Sequence, residues 1–319
     1  MGKSSNASNG GGAWFYFRPR RRRRGARRAD AILSSVSTIA VPIRFGPDQV
    51  ASWIAAWSDV ARIADLRVTI PAGAVLEPCG IVLLAAGIAR RRGSGLRTWM
   101  SFDPGADDAL TRMHEIEFFR ELSVEPEATE PAEPGRRGVP LRCIANLEVA
   151  RRQADATRLL LESAVPTLPP STVRAAQFVF EELGANVVQH SGAADTGFGL
   201  AIADDRRRRI QIAFCDAGVG FRQSLQTNQE FAGRVSGDGE AIRLALDKRV
   251  TRGGSGNIGM GLFLLASLAE RVRGNLWIAT GDALLARRGD SPAADGDEMQ
   301  RTAGWQGAWL CLDAPVPGW

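Results

Sequence analysis

Hydrophobic positions recur at helical spacing from Val173 to His190, and this segment contains no proline. Apolar side chains spaced three or four residues apart share one face of a helix, so a helix is predicted here. The segment from Pro169 to Thr172 supplies a stop signal and a candidate N-cap. By contrast, Arg209 to Cys215 alternates and is rich in β-branched and apolar residues, which predicts a strand. A further apolar helix is predicted from Met260 to Val272.

The first part of the chain alternates between strand-like and helix-like patterns. Strands are predicted over Leu66 to Ile70 and Leu96 to Phe102, and helices over Pro78 to Arg91 and Asp107 to Leu122. Another helix is predicted from about Ala145 to Glu162. Strands that alternate with helices are typical of an α/β sheet. The predicted fold class is therefore α/β (α+β).

A segment rich in proline and glutamate separates two parts of the sequence. Glu125 to Gly138 shows no apolar periodicity, which is typical of an extended linker. We therefore expect a tail over 1–36, a first domain over 37–125, a linker over 126–139 and a second domain over 140–319. A chain of 319 residues is long enough for two domains with separate cores.

The positive net charge belongs to the tail. The formal charge of the chain is +5, but Lys3 and eight arginines against Asp30 give residues 1–30 a charge of +8, which leaves −3 for the rest. The tail has no periodicity, so disorder is predicted. Such a tail could bind nucleic acid or an anionic membrane, although we favour an inert tail. Elsewhere in the chain a nucleic-acid partner is not expected.

Cysteine spacing and hydropathy limit the possible locations. The longest apolar run, Ile81 to Ala89, is too short to cross a bilayer, so no transmembrane helix is expected. Cys79, Cys143, Cys215 and Cys311 do not have metal-ligand spacing. Reduced thiols in a cytoplasmic protein are the expected state.

The predicted helix over 173–190 carries a polar stripe with the pattern E-x₃-N-x₃-H. Steps of four residues place Glu182, Asn186 and His190 along one side. A carboxamide oxygen together with phosphate oxygens can hold a hydrated Mg²⁺, and a carboxylate can activate a nucleophile. A solvated outer face of an amphipathic helix would show the same stripe.

A D-x-G-x-G pattern follows the strand over 209–215. Asp216 lies where the strand ends, and Gly218 and Gly220 follow it. A buried aspartate there can accept a hydrogen bond from an exocyclic amine, and glycines let the backbone approach a flat ring. An ordinary Asp-Gly turn is the alternative.

A glycine-rich segment from Gly253 to Gly261 leads into the apolar helix over 260–272. Glycines that open a helix expose N–H groups and the positive end of the helix dipole, which favours phosphate binding. The segment lacks the G-K-[ST] ending of a P-loop, and it does not follow a strand as a Rossmann motif would.

In this order, the three motifs resemble the GHKL superfamily, which includes the gyrase, histidine-kinase and MutL ATPase domains. The resemblance covers roughly residues 141–317 and implies a two-layer α/β sandwich of the Bergerat type that binds ATP and Mg²⁺. It implies that Asn186 ligates Mg²⁺ and Asp216 binds the amine of adenine. The remaining cofactor-binding residues implied are His190, Gly218, Gly220, Gly256, Asn257, Gly259, Gly261 and Leu262.

The same resemblance implies a mobile ATP lid over 222–252. Lys248 and Arg252 lie near its phosphate end, where they would contact the nucleotide. These cations could equally form a solvated helix end that suits the helix dipole. The assignment of Lys248 and Arg252 to the cofactor site therefore stays open at this point.

The predicted first domain, over 37–125, resembles the STAS fold of anti-anti-sigma factors. The resemblance rests on a strand, the segment E-P-C-G, an apolar helix and a second strand. In that family a phosphorylatable serine precedes the glycine, whereas Cys79 precedes Gly80 here. Docking or sensing is therefore expected of this domain, and serine phosphorylation is not.

These motifs predict an ATP-dependent protein that acts on a protein partner. By the resemblance, Glu182 is the general base of an ATPase or of a serine/threonine kinase of the anti-sigma type, with a STAS protein or sigma factor as partner. His114 lies in a short predicted helix without a second long helix to pair with, which disfavours a self-phosphorylating histidine kinase. A non-catalytic module in which ATP orders the lid, and an orphan sensor-kinase-like protein, are the alternatives. The oligomeric state is open, and a homodimer is compatible with the sequence.

Overall fold

The computed structural model describes residues 36–122, 138–205, 207–247, 261–289 and 297–316, and the backbone of residues 13–17. The described chain combines helices with open sheets, so the prediction of a mixed α/β protein is confirmed at that level. We call the part up to residue 122 the N-terminal unit and the part from residue 138 the C-terminal unit.

The N-terminal unit contains a four-stranded sheet in the order β1-β6-β4-β2. Strands β2, β4 and β6 run parallel, and β1 is antiparallel to β6, while the short strands β3 and β5 pair separately. The strands are β1 Ala13–Phe17, β2 Ser37–Ala40, β3 Arg44–Phe45, β4 Asp65–Ile70, β5 Val75–Leu76 and β6 Arg97–Phe102. The helices are α1 Val50–Val60, α2 Pro78–Gly93, α3 Asp107–Glu115 and α4 Phe118–Glu121.

The C-terminal unit contains a five-stranded sheet in the order β10-β11-β9-β8-β7, in which every neighbouring pair is antiparallel. Its strands are β7 Arg142–Cys143, β8 Phe198–Asp204, β9 Arg209–Cys215, β10 Asn275–Arg287 and β11 Asp297–Pro315. Its helices are α5 Leu147–Ala164, α6 Pro170–His190, α7 Gly220–Gln226, α8 Gln229–Ala232, α9 Asp238–Leu246 and α10 Gly261–Arg271.

Several predicted elements are confirmed, and two local predictions are wrong. Strand β9 has the predicted bounds. Helix α6 begins at Pro170 and not at the predicted Val173, with Pro169 as N-cap and without a side-chain cap bond. Proline suits the first helical turn because its missing N–H would have no partner there. The single helix predicted over 107–122 is two short helices, because Glu117 adopts a left-handed conformation with φ of 59°.

The predicted tail and linker are described only in part. Ala13–Phe17 forms an edge strand on β6, where the sequence had predicted disorder. The run AWFYF is rich in aromatic residues, which favour strands. Of the expected linker over 126–139, Gly138 forms a bridge with Ile202 and Val139 N donates to Ala201 O at 2.8 Å; the remainder lies outside the described residues.

The two units pack against each other through α1 and α2. These helices lie between the two sheets, with α1 on β11 and α2 on β8 and β9. Most of α2 is buried, as expected for a helix covered on all sides. A single buried apolar cluster joins this layer to residues of β8, β9 and β11.

The opposite face of the C-terminal sheet forms a second core. Helices α5, α6, α9 and α10 cover it, and their apolar side chains form a second buried cluster with the sheet. Across the described ranges, no helix combines the length and hydropathy needed to cross a bilayer.

Candidate functional site

A cleft of about 880 Å³, including its open mouth, lies between α6 and strands β9 and β11. Helices α7, α9 and α10 contribute its other walls. Its lining is mostly apolar, with a few polar groups, as is common for small-molecule sites. The lining residues are Leu183, Asn186, Val187, His190, Ser191, Phe214, Asp216, Gly220, Phe221, Ser224, Leu225, Ala245, Gly261, Leu262, Ala308 and Leu310.

Helix α6 brings the first motif to the cleft. Asn186 and His190 line it, and Glu182 lies one turn before Asn186. Burial, together with the neighbouring charge of Glu181, raises the pKa of the Glu182 carboxyl group above its ordinary value. The Glu181 carboxylate instead accepts a hydrogen bond from Arg151 Nε at 3.1 Å on the side of α6 that packs against α5. The two adjacent carboxylates therefore have different surroundings.

Helix α10 packs tightly against α6 where its described part starts. A methyl group on Gly261 would lie 3.0 Å from Glu182 Cβ and 3.4 Å from Asn186 Nδ2, so even an alanine would require its neighbours to shift by a few tenths of an ångström. Gly261 and Leu262 both line the cleft. The first described turn of α10 therefore lies next to the Asn186 carboxamide.

The second motif places one buried carboxylate in the cleft wall. Asp216 is 7% exposed, and its Oδ1 accepts a hydrogen bond from Gly218 N at 2.8 Å. Burial raises the pKa of Asp216 to about 6, although backbone hydrogen bonds from Gly218 and Ala308 work in the opposite direction. Asp216 can therefore accept a hydrogen bond from a ligand at neutral pH, when it is ionised.

The two glycines of this motif have different surroundings. Gly220 lines the cleft with φ of 74°, and a methyl group on it would lie 2.7 Å from Thr280 Oγ1. Gly218 is not one of the residues that line the cleft, and its role in cofactor binding stays a prediction. A methyl group on Gly218 would lie 2.1 Å from Ser191 O, so this glycine lets the loop pack on the end of α6.

Part of the predicted site lies outside the described residues. This applies to Lys248, Arg252, Gly256, Asn257 and Gly259. Within the predicted lid over 222–252, the structure describes α8, α9 and most of α7. Phe221, Ser224 and Ala245, from α7 and α9, line the cleft.

Sequence reasoning missed several residues around Asp216. Ala308 and Leu310 of β11 form part of the wall, and the Trp305 indole N–H donates to Asp216 O at 2.9 Å. Thr280 Oγ1 accepts from Phe221 N at 3.1 Å. The only sequence signal for this region is the glycine-flanked run GWQG over 304–307, which is compatible with a β-bulge.

The cleft contains polar side chains that could contribute oxygen or nitrogen atoms to a ligand, among them those of Asn186, His190 and Asp216. Among the residues that the structure describes, His, Cys, Asp and Glu side chains do not form a group of three that could hold a metal ion. Asn186 offers one carboxamide oxygen beside α10, and Mg²⁺ often takes few protein ligands together with phosphate oxygens and water. Asn186 is one of the described residues whose side-chain oxygen could ligate Mg²⁺ in this cleft.

Comparison with known proteins does not assign the chain to a family. No protein-family model matches the sequence, and no curated protein is significantly similar to it. The function must therefore be inferred from the residues of the cleft and from their surroundings.

Proposed function

We propose that the chain is an ATP-binding signalling protein of the GHKL type that acts on a protein partner, as a serine/threonine kinase or an anti-sigma-type regulator. The observation that carries this proposal is that Asn186, Asp216 and Gly261, which belong to three separate sequence motifs, line one cleft. Three patterns without a shared function would not be expected to line the same cleft.

The chemistry of the cleft suits a purine nucleoside triphosphate. Apolar walls such as Phe214 and Leu310 can bury a flat base, and Asp216 can accept a hydrogen bond from its exocyclic amine. The glycine-rich segment that precedes α10 in the sequence would supply backbone N–H groups for the phosphate oxygens. The antiparallel sheet with helices packed on the cleft side also supports the Bergerat-type resemblance.

Glu182 is the proposed general base. Its raised pKa brings the carboxyl group closer to the operating pH, where a base both exists in its ionised form and accepts a proton well. It would take the proton from a serine or threonine hydroxyl, or from water, as that oxygen attacks the terminal phosphorus of ATP. The bond between this phosphorus and the bridging oxygen would break, and ADP would leave. Bound Mg²⁺ would neutralise the negative charge that develops on the phosphate oxygens.

The phosphoryl acceptor is proposed to come from another molecule. In the STAS-like N-terminal unit, Cys79 stands before Gly80 at the start of α2 and is fully buried. The Trp309 indole N–H of β11 donates to Cys79 O at 2.9 Å, so this end of α2 is covered by the C-terminal unit. A separate STAS-type protein or a sigma factor is the partner class that the proposal favours.

A pair of isosteric variants tests the catalytic part of the proposal. Glu182→Gln should lower ATP turnover or phosphoryl transfer by about 10²- to 10⁴-fold while ATP still binds, because a general base is lost and the shape is kept. Glu181→Gln is the matched control, since it removes the neighbouring carboxylate that bonds Arg151, and it should retain most of the activity.

Turnover is measured as phosphate release and as transfer from radiolabelled ATP to candidate partners. Equal activity of the two variants would contradict the role of Glu182. If the wild-type protein binds ATP but neither hydrolyses nor transfers it with any partner, the non-catalytic, ATP-gated module replaces the kinase.

A further inference from the structure

The peptide of Asp216 is held on both sides by β11. Asp216 N donates to Ala308 O at 2.9 Å, and Asp216 O accepts from the Trp305 indole at 2.9 Å. Strand pairing between β9 and β11 ends at Cys215 and Trp309. Beyond that point, a side chain supplies the hydrogen bond that fixes the Asp216 carbonyl.

The irregular backbone of β11 places Trp305 next to the Asp216 carbonyl. The pairing of β10 with β11 shifts register around Gly281, next to Trp305. Gly304 and Gly307 have φ of 99° and 119°, in the region that glycine tolerates best. A methyl group on Gly307 would lie 2.1 Å from Asp216 O, so the bulge approaches the Asp216 peptide closely.

The N-terminal unit contacts the same bulge. Ser58 Oγ of α1 lies 3.3 Å from Gly304 O, although its shorter hydrogen bond, at 2.8 Å, goes to Ile54 O, and Arg90 of α2 donates to the Gln306 side chain. Trp305 itself is 3% exposed and belongs to the apolar cluster that contains Trp53 and other residues of α1 and α2. The N-terminal unit therefore packs around the residue that bonds Asp216.

We propose that Trp305 is a positioning residue that orients Asp216 toward the base of the nucleotide, and that the N-terminal unit holds Trp305 in place. This inference rests on the proposed function. It assigns a role in base recognition to a residue that does not line the cleft and to a unit that lies on the other face of the sheet.

The proposed role predicts a specific loss when the indole N–H is removed. Without the indole N–H, the buried Asp216 carbonyl would keep only the long contact from the Cys215 thiol, at 3.8 Å. Loss of the stronger bond is costly, so the Asp216 peptide would turn toward another donor. The direction of the carboxylate would change with it, which weakens its bond to an exocyclic amine. Burial of the base and contacts to the phosphates would persist.

The experiment compares Trp305→Phe with Trp309→Phe. Both changes keep an aromatic ring and remove one buried indole N–H, but the Trp309 N–H donates to Cys79 O instead of Asp216 O. Dissociation constants are measured for ATP and for purine riboside triphosphate, which lacks the 6-amino group. Thermal unfolding shows whether each variant is folded.

Trp305→Phe should weaken ATP binding about two- to tenfold, the range expected for one buried hydrogen bond, and leave the analogue unchanged. Trp309→Phe should leave the ATP-to-analogue ratio at the wild-type value. Equal weakening of both ligands by Trp305→Phe would indicate a merely structural role and overturn the proposal, as would no weakening of either. If the wild-type protein binds neither ligand, the proposed function itself fails instead.

A second variant tests the bulge contacts without touching the core. The double change Ser58→Ala and Arg90→Ala removes one exposed and one half-buried side chain, which contact Gly304 and Gln306. It should lower the preference for ATP over the analogue in the same direction as Trp305→Phe, by about twofold. An unchanged preference would overturn the role assigned to the N-terminal unit, even if Trp305→Phe does not fold.

Discussion

At the scale of single residues, Asp216 combines two opposing requirements. Asp216 is buried in the cleft wall, and burial raises the pKa of its carboxyl group to about 6. As a hydrogen-bond acceptor, however, the ionised carboxylate is the better form. Backbone hydrogen bonds from Gly218 and Ala308 stabilise the ionised carboxylate and so limit the rise in its pKa. The result is a carboxylate that is ionised at neutral pH and protonated in mildly acidic solution.

This balance predicts opposite pH dependences for stability and for binding. The pKa of Asp216 is higher in the folded state than its ordinary value of 3.8, so the free energy of unfolding should fall as pH rises from about 4 to about 6. ATP affinity should rise as pH increases through about 6, because the ionised carboxylate is the better acceptor.

Titration of the wild type and of Asp216→Asn by calorimetry checks this prediction. The variant cannot titrate at this position, so the rise in affinity near pH 6 should be absent from it. The same rise in wild type and variant would mean that another group causes the pH dependence.

Only some of these residues could be identified from the sequence. Asn186 and His190 share a helix stripe, and Asp216 follows a clear strand, so local patterns were sufficient to select them. Trp305 and Thr280 lie far along the chain from Asp216, on the β10–β11 pair. Their positions depend on strand register and on a bulge, which local periodicity does not reveal.

At the scale of elements, α2 is held by close glycine contacts. A methyl group on Gly87 would lie 2.6 Å from Trp57 Cζ2, and one on Gly80 would lie 2.6 Å from Phe45 O. These contacts bring α2 close to α1 and to β3. Near the carboxyl end of the same helix, Gly93 has no atom within 4 Å of the corresponding position.

Two glycine substitutions in α2 should therefore have opposite effects. Gly87→Ala should destabilise the protein by about 1–3 kcal/mol, because the added methyl overpacks the contact with Trp57. Gly93→Ala should be neutral or stabilising by up to about 1 kcal/mol, since alanine favours the helix and meets open space.

Chemical denaturation of both variants tests the packing of α2. Gly93 is the matched control for Gly87 because both residues lie in α2. Destabilisation by Gly93→Ala as large as that by Gly87→Ala would contradict the described packing around Trp57.

Element boundaries were less predictable than element type. The apolar periodicity of α6 and the alternation of β9 were sufficient to identify them, since both patterns are long and regular. The break at Glu117 and the cap at Pro169 depend on single backbone conformations. Such conformations follow from local tertiary contacts more than from any pattern in the sequence.

At the scale of the whole molecule, the C-terminal sheet is covered on both faces. Helices α6 and α10 pack on the side of the cleft, and α1 and α2 pack on the opposite side. The sequence indicates that β8 and β9 are apolar, but it does not indicate which helices cover them. A helix that is buried on all sides, such as α2, has no amphipathic face from which a partner could be predicted.

A chain that begins at residue 138 should therefore be much less stable than the whole protein. Removing α1 and α2 would expose Leu200, Trp309 and their apolar neighbours in the shared cluster. Each large side chain returned to water costs about 1.5–3 kcal/mol, so the total is on the order of the entire net stability of a domain.

Thermal unfolding and binding of a hydrophobic dye measure this effect. The truncated chain should unfold at a much lower temperature or bind the dye strongly. A truncated chain with the unfolding temperature of the intact protein and no dye binding would contradict the shared core.

The most direct test of the central claim is the affinity for Mg-ATP, measured by calorimetry, of the wild type, Asn186→Ala and Gln177→Ala. Asn186 lines the cleft, whereas Gln177 on the same helix donates to Asp155 Oδ1 of α5 at 2.8 Å and is the matched control. We expect the wild type and Gln177→Ala to bind equally and Asn186→Ala to bind at least about tenfold more weakly when Mg²⁺ is present, as for loss of a hydrogen bond to a charged group. Equal Mg-ATP affinity of all three proteins, or no binding by the wild type, would contradict a nucleotide site in this cleft.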